Sequence, residues 1–210
     1  MINPFVVAAA VSGVAAIAAD WEERRHKSFY LLKPITTLLI IGVAATWPAS
    51  APGTYRDLIV AALVLSTLGD VCLMFKGNAW FGAGLGSFLL AHLAFVGAFV
   101  RGISVAIPAW AWLVVPYGAV LLVVLLPRAG PLKIPVVVYC SVIGAMVLTA
   151  AARHAALPSP PTERAMAGAL LFLASDSLLA FRQFRGSYRG AQALILSTYW
   201  SAIGLIATSV

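Results

Sequence analysis

Leu65-Ser66-Thr67-Leu68-Gly69-Asp70-Val71-Cys72-Leu73-Met74-Phe75 sets an aspartate inside an otherwise apolar stretch. Leu171-Phe172-Leu173-Ala174-Ser175-Asp176-Ser177-Leu178-Leu179-Ala180-Phe181 does the same. Aligned on the acid, both segments have a small residue before it, Leu three positions after it and Phe five after it. Stretches this apolar read as membrane-spanning helices. A carboxylate at bilayer depth costs about 3 kcal/mol or more, so it faces a protein interior or a watery cavity and marks function. Two such acids in related segments read as a chemical pair.

The rest of the composition agrees with a membrane chain. It is 62% hydrophobic and 10% charged, whereas soluble domains carry about 25% charged residues. Mean hydropathy is +0.97. The net charge of +7 is not a nucleic-acid signal, because the basic residues stand singly between apolar runs, where topology and lipid phosphates account for them. The first apolar run, Pro4 to Ala19, has no basic residue before it and is followed by Asp20-Trp21-Glu22-Glu23. That is a poor signal peptide, so it is read as the first helix. No loop is long enough for a second domain, so residues 1–210 form one transmembrane domain.

A spanning helix needs ~20 apolar residues. Eight runs qualify, at about 3–19, 31–48, 57–75, 80–100, 107–126, 134–152, 165–181 and 190–209. The expected architecture is an all-α, eight-helix polytopic membrane protein. Proline and glycine punctuate the breaks, as in Trp47-Pro48-Ala49-Ser50-Ala51-Pro52-Gly53 and Pro158-Ser159-Pro160-Pro161. The loops after runs 1, 3, 5 and 7 hold Arg24, Arg25, Lys27, Lys33, Lys76, Arg128, Lys133, Arg182, Arg185 and Arg189. Arg56, Arg101, Arg153 and Arg164 lie on the other side. Ten against four puts the first set in the cytoplasm and both termini outside. The acids lie on helices four apart, and Leu32-Lys33-Pro34 and Leu132-Lys133-Ile134-Pro135 open another pair four apart. This is compatible with a parallel four-plus-four duplication.

Depth follows from the helical rise of ~1.5 Å per residue. Asp70 stands six residues before Lys76 and Asp176 six before Arg182, hence roughly 9 Å below the cytoplasmic boundary. Lys33 opens its helix from that side, Tyr139 is six residues past Lys133, and Gln192 is three past Arg189. His92 joins this level if the glycine-rich Gly77 to Gly86 segment is a loop or loosely wound; otherwise it lies nearer mid-membrane. Each residue also has a plain structural reading. The acids would be helix–helix hydrogen-bond partners, Lys33 a snorkelling lysine, and His92, Tyr139 and Gln192 interhelical contacts. Cys72 and Cys140 read as small core residues.

The sequence has no HExxH, no cysteine cluster, no phosphate-binding glycine loop and no GxSxG elbow. Its three His and two Cys are scattered, unlike a closed zinc site. A serine nucleophile has no evident base. The available chemistry is that of a carboxylic acid and a carboxylate.

Taken together, Lys33-Pro34-Ile35-Thr36-Thr37-Leu38-Leu39-Ile40, Gly69-Asp70-Val71-Cys72-Leu73-Met74, Phe88-Leu89-Leu90-Ala91-His92, Ser175-Asp176-Ser177-Leu178-Leu179-Ala180 and Ala191-Gln192-Ala193-Leu194-Ile195 resemble the YhhN-like lysoplasmalogenase family. The resemblance runs from about residue 20 to residue 200, with the motifs in the same order. It implies an eight-helix membrane hydrolase that opens the vinyl ether bond of lysoplasmalogens, giving a fatty aldehyde and a glycerophospho-base.

Two acids suit that chemistry independently. One protonates the vinyl β-carbon, and the other stabilises the oxocarbenium ion and deprotonates water. On this reading Asp70 and Asp176 are catalytic. Lys33, His92, Tyr139 and Gln192 contact the substrate, Lys33 or a cytoplasmic arginine holding the phosphate. Neither metal nor organic cofactor is required. The partner is a lysoplasmalogen or related ether lysolipid within the membrane. A proton-coupled carrier and a non-catalytic lipid-binding protein are the alternatives; a carrier needs a path to both sides.

Overall fold

The computed structural model describes residues 3–20, 27–48 and 53–210. Trp21, Glu22, Glu23, Arg24, Arg25 and residues 49–52, all used above, lie outside the described residues. Among those described there are eight α-helices and no strand. They are α1 (Pro4–Ala19), α2 (Lys27–Thr46), α3 (Gly53–Met74), α4 (Asn78–Phe99), α5 (Val114–Leu125), α6 (Lys133–Ala156), α7 (Pro160–Arg185) and α8 (Ala191–Ala207). Short 3-10 turns extend α5 at both ends, over Ala109–Leu113 and Leu126–Arg128.

Six helices, counting α5 with its 3-10 turns, are long and apolar enough to cross a membrane. α1 and α8 are apolar but shorter, at 16 and 17 residues. The chain is a multi-pass membrane protein. Several helices run past the apolar windows read from the sequence. α2 begins at Lys27, so Lys33 lies six residues inside it rather than opening it. α7 begins at Pro160 and ends at Arg185. Its first turn has proline where no amide donor is needed, and a reciprocal Ser159–Thr162 capping box. Polar residues such as Glu163 and Arg164 continue the helix there because its backbone bonds do not depend on hydropathy. α4 is helical from Asn78, so the glycine-rich segment is neither a loop nor unwound.

Close packing rests on small residues. A Cβ on Gly168 of α7 would stand 2.7 Å from the Ala202 carbonyl of α8, and one on Gly69 of α3 would meet the Phe88 ring of α4 at 2.6 Å. The core between these helices holds Ile59, Leu63, Phe95, Phe172 and Ile203. α5 is different: Leu125 is its one fully covered side chain, and Val120 and Val123 face outward.

The helices alternate in direction. Asn3 bonds Thr46, Tyr55 bonds Ser209 and Arg164 bonds Thr208, so the first and last described residues share one end of the bundle. Three arginines serve that end as caps. Arg56 donates to Trp47 O past α2, Arg153 to Phe99 O and Arg101 O at the end of α4, and Arg164 to Thr208 O after α8. Each satisfies carbonyls that a helix C-terminus leaves open, with the charge sign its dipole favours. Arg153 is buried, with its guanidinium 4.4 Å above the Tyr55 ring. Replacing Arg153 by Leu strands those carbonyls and is expected to cost about 1–3 kcal/mol. Thermal unfolding in detergent measures this, and an unchanged midpoint would show that the cap is dispensable.

Candidate active site

At the opposite end, α2, α3, α4, α7 and α8 enclose a cavity of about 260 Å³. Asp70 and Asp176 both line it, with Lys33, Arg182, Gln192 and Tyr199. The repeated acid segments therefore face one space.

Asp70 is buried and heavily partnered. Lys33 Nζ lies 3.1 Å from its Oδ1 and also donates to its backbone carbonyl at 3.3 Å. The hydroxyls of Thr37 and Tyr199 donate to Oδ2 at 2.9 and 2.8 Å. Lys33 and Thr37 are one turn apart on α2, so a single helix face delivers both. Trp200 Nε1 lies 3.4 Å from Thr37 Oγ1 and backs that hydroxyl. Lys33 is 6% exposed and turned onto the carboxylate, not out to the lipid surface as a snorkelling lysine would be.

Asp176 has different surroundings. Tyr139 donates to its Oδ2 at 2.5 Å. His92 Nε2 lies 3.7 Å from the same oxygen, beyond hydrogen-bond reach. Neither ring nitrogen of His92 has a hydrogen-bond partner, and the ring is fully buried against Tyr139 and Phe172, at centroid distances of 5.2 and 4.6 Å. His92 thus stands behind Asp176 and lines neither this cavity nor the cleft described next. Asp176 is nine residues before the end of α7, about 14 Å along its axis.

On its other side Asp176 also borders a narrow cleft between α4, α5, α6 and α7. Leu121, Leu125, Ile143 and Leu173 contribute to its apolar walls, and Tyr139 and Ser177 sit near Asp176. Phe81, Phe88, Leu73 and Leu179 line both spaces. Beyond the acids, Phe88, Phe172 and Tyr199 pack edge to face, and Phe95 and Phe99 continue the layer toward the capped end.

Gln192, the second residue of α8, accepts from the Arg182 guanidinium at the cavity rim. Ser66 and Ser175 give their hydroxyls to the carbonyls of Ala62 and Ile195, which leaves neither as an activated nucleophile. Among the described residues no group of three or more His, Cys, Asp or Glu is placed to hold a metal ion. Tyr199 and Thr37 were not legible as site residues. The available signals were positional: Thr37 is one turn beyond Lys33, and Tyr199 is two turns beyond Gln192.

Residues 28–210 match the model of the YhhN family. The chain belongs to the YhhN family. Within this YhhN chain the matched region holds every residue of the site, whereas α1 lies outside it and lines neither space. A Mycobacterium bovis protein named Lysoplasmalogenase is 37% identical over 171 residues, 76% of this chain and 61% of its own length. The human protein named Lysoplasmalogenase TMEM86B is 33% identical over 180 residues, 85% of this chain and 74% of its own length. An Escherichia coli O6:H1 protein named Uncharacterized membrane protein YhhN is 26% identical over 185 residues, 86% of each chain. The YhhN chain thus spans about three fifths of the mycobacterial relative. No solved structure matches it.

Proposed function

We propose that this protein is a membrane-embedded hydrolase that opens the vinyl ether bond of a lysoplasmalogen or related ether lysolipid. The observation that carries the proposal is the unequal pair of acids on one cavity. Lys33 offsets the charge of Asp70, and two hydroxyls hold its Oδ2 in place. Asp176 is met by a neutral phenol. Lys33 is turned onto Asp70, so the site is charge-balanced when Asp70 is a carboxylate and Asp176 carries a proton. Uncompensated charge at this depth would be costly.

The reaction follows from that state. Asp176 gives its proton to the vinyl β-carbon, and the ether oxygen shares the resulting positive charge. Asp70 faces the oxocarbenium ion and takes a proton from the water that attacks it. Collapse of the hemiacetal returns one proton to the glycerol oxygen from Asp70 and one to Asp176 from the hemiacetal hydroxyl. Both acids end as they began, and water is the sole co-reactant. Tyr139 orients Asp176, and His92 walls it off from behind. The phosphate lies at the rim near Arg182, Lys76 and Gln192, so Lys33 serves Asp70 instead of the headgroup.

In the membrane, all eight helices span, as two sets of four in parallel repeat. Both termini lie outside, and the acids lie toward the cytoplasm. The packed aromatic layer and arginine caps on the far side favour a closed site over a carrier path.

The test uses the purified protein in detergent and in liposomes, with a lysoplasmalogen as substrate. The expected result is stoichiometric release of fatty aldehyde without added metal, nucleotide or cofactor, and little effect of chelator. A protein that is inert on every vinyl ether lipid, yet moves protons or a solute across the same liposomes, would be a carrier.

A further inference from the structure

We infer that the apolar cleft between α4, α5, α6 and α7 is the subsite for the single hydrocarbon chain of the lipid, and that Leu121 helps set the chain length accepted. This rests on the hydrolase reading for the identity of the lipid. Asp176 is the hinge of the argument, because it borders both the polar cavity and the cleft. A lipid whose reacting bond sits at Asp176 has two ends of opposite polarity. The polar cavity, with Lys76, Arg182 and Gln192, fits the phosphate end. The cleft has no lysine or arginine on its walls, and away from Tyr139, Asp176 and Ser177 its lining is almost wholly apolar. Water and a charged headgroup are poor occupants of such a space, and a hydrocarbon chain is a good one.

Its position adds a second reason. α5 forms one wall of the cleft, and apart from Leu125 none of its side chains is fully covered. A direct side-chain bond, Tyr117 to Ser177 at 2.8 Å, ties it to α7 one residue after Asp176. A chain entering from the α5 side meets the cleft beside the reacting carboxyl. Leu121 projects into the cleft from α5 and is half-buried, outside the packed core and the acid machinery.

The test combines labelling and chain-length selectivity on the full-length protein. The labelling probe is a lysolipid with a saturated O-alkyl chain and a terminal diazirine, which cannot be hydrolysed. Illumination is expected to label peptides of α5, α6 and α7 around Leu121, Ile143 and Leu173, and unlabelled lysolipid should compete. Labelling confined to the separate groove of α1 and α8 around Gly13 and Gly204, or labelling without competition, would overturn the subsite. For selectivity, each buried methylene is worth roughly a factor of four in kcat/KM. Leu121→Trp is expected to lower the preference for long over short vinyl ether chains by about tenfold. Leu121→Ala should preserve or increase that preference, and it carries the test if the Trp variant fails to fold. Active variants with unchanged selectivity would remove Leu121 as a determinant of chain length while leaving the hydrolase intact. An inert wild type with competed cleft labelling would retire the hydrolase and keep the subsite.

Discussion

Asp176→Asn is expected to reduce aldehyde release by on the order of 10²-fold or more, with the protein still folded. The amide keeps the size of the carboxyl and can still accept from Tyr139, but it has no proton to give the vinyl carbon. Asp70→Asn should cost a similar factor for the opposite reason: the amide cannot stabilise the oxocarbenium ion or deprotonate water. The double variant should be little worse than the poorer single one, because the two groups act in one proton cycle. Turnover on a vinyl ether lysolipid, normalised to folded protein by thermal unfolding, is the measurement. Near-wild-type turnover in both folded single variants would make the acids structural and end the mechanism proposed here.

Lys33→Met is the second large effect expected, and it separates two roles for the same side chain. A lysine that gripped only the phosphate would raise KM when lost and leave kcat alone. The structure has Lys33 3.1 Å from Asp70 Oδ1, with a further bond to the Asp70 carbonyl. Removing one partner of a buried ion pair typically costs about 3–5 kcal/mol. The expected outcome is therefore a lower melting temperature together with a fall in kcat, because the cation that balances and positions Asp70 is gone. Lys33→Arg should recover part of both. Arg182→Ala, at the rim, should raise KM instead. A Lys33→Met protein with unchanged kcat and a raised KM would return Lys33 to the phosphate. The readouts are steady-state kinetics and thermal unfolding of each variant.

Much of this architecture was legible without coordinates because the membrane simplifies the problem. In lipid, a backbone must satisfy its own hydrogen bonds, so apolar runs of this length become helices. All eight runs are helical in the structure, and both acids lie on helices as read. The boundaries were less legible. Hydropathy marks where a chain meets hydrocarbon, whereas a helix stops where its backbone bonds and caps end. α2 and α7 consequently begin four or more residues earlier than their apolar windows, and α7 ends later, which shifts Lys33 and Asp176 deeper into their helices.

The chemistry divides in the same way. Asp70 and Asp176 were legible from the sequence as a candidate pair, since an ionisable group in an apolar helix requires a polar interior and two related segments carry one each, and the structure sets both on one cavity. The sequence also brought Lys33, Tyr139 and Gln192 toward the same end through depth alone. Tertiary structure decided what each residue faces. Rotation about a helix axis is set by packing against neighbours, and depth arithmetic does not contain it. That rotation turns Lys33 onto Asp70, puts Tyr139 on Asp176 and hides His92 behind that acid. It also brings Tyr199 of α8 across to Asp70, a contact between residues far apart in the chain. The difference in surroundings between the two acids, an ion pair and two hydroxyls at Asp70 and a phenol at Asp176, arises from neighbours on other helices and so required the fold.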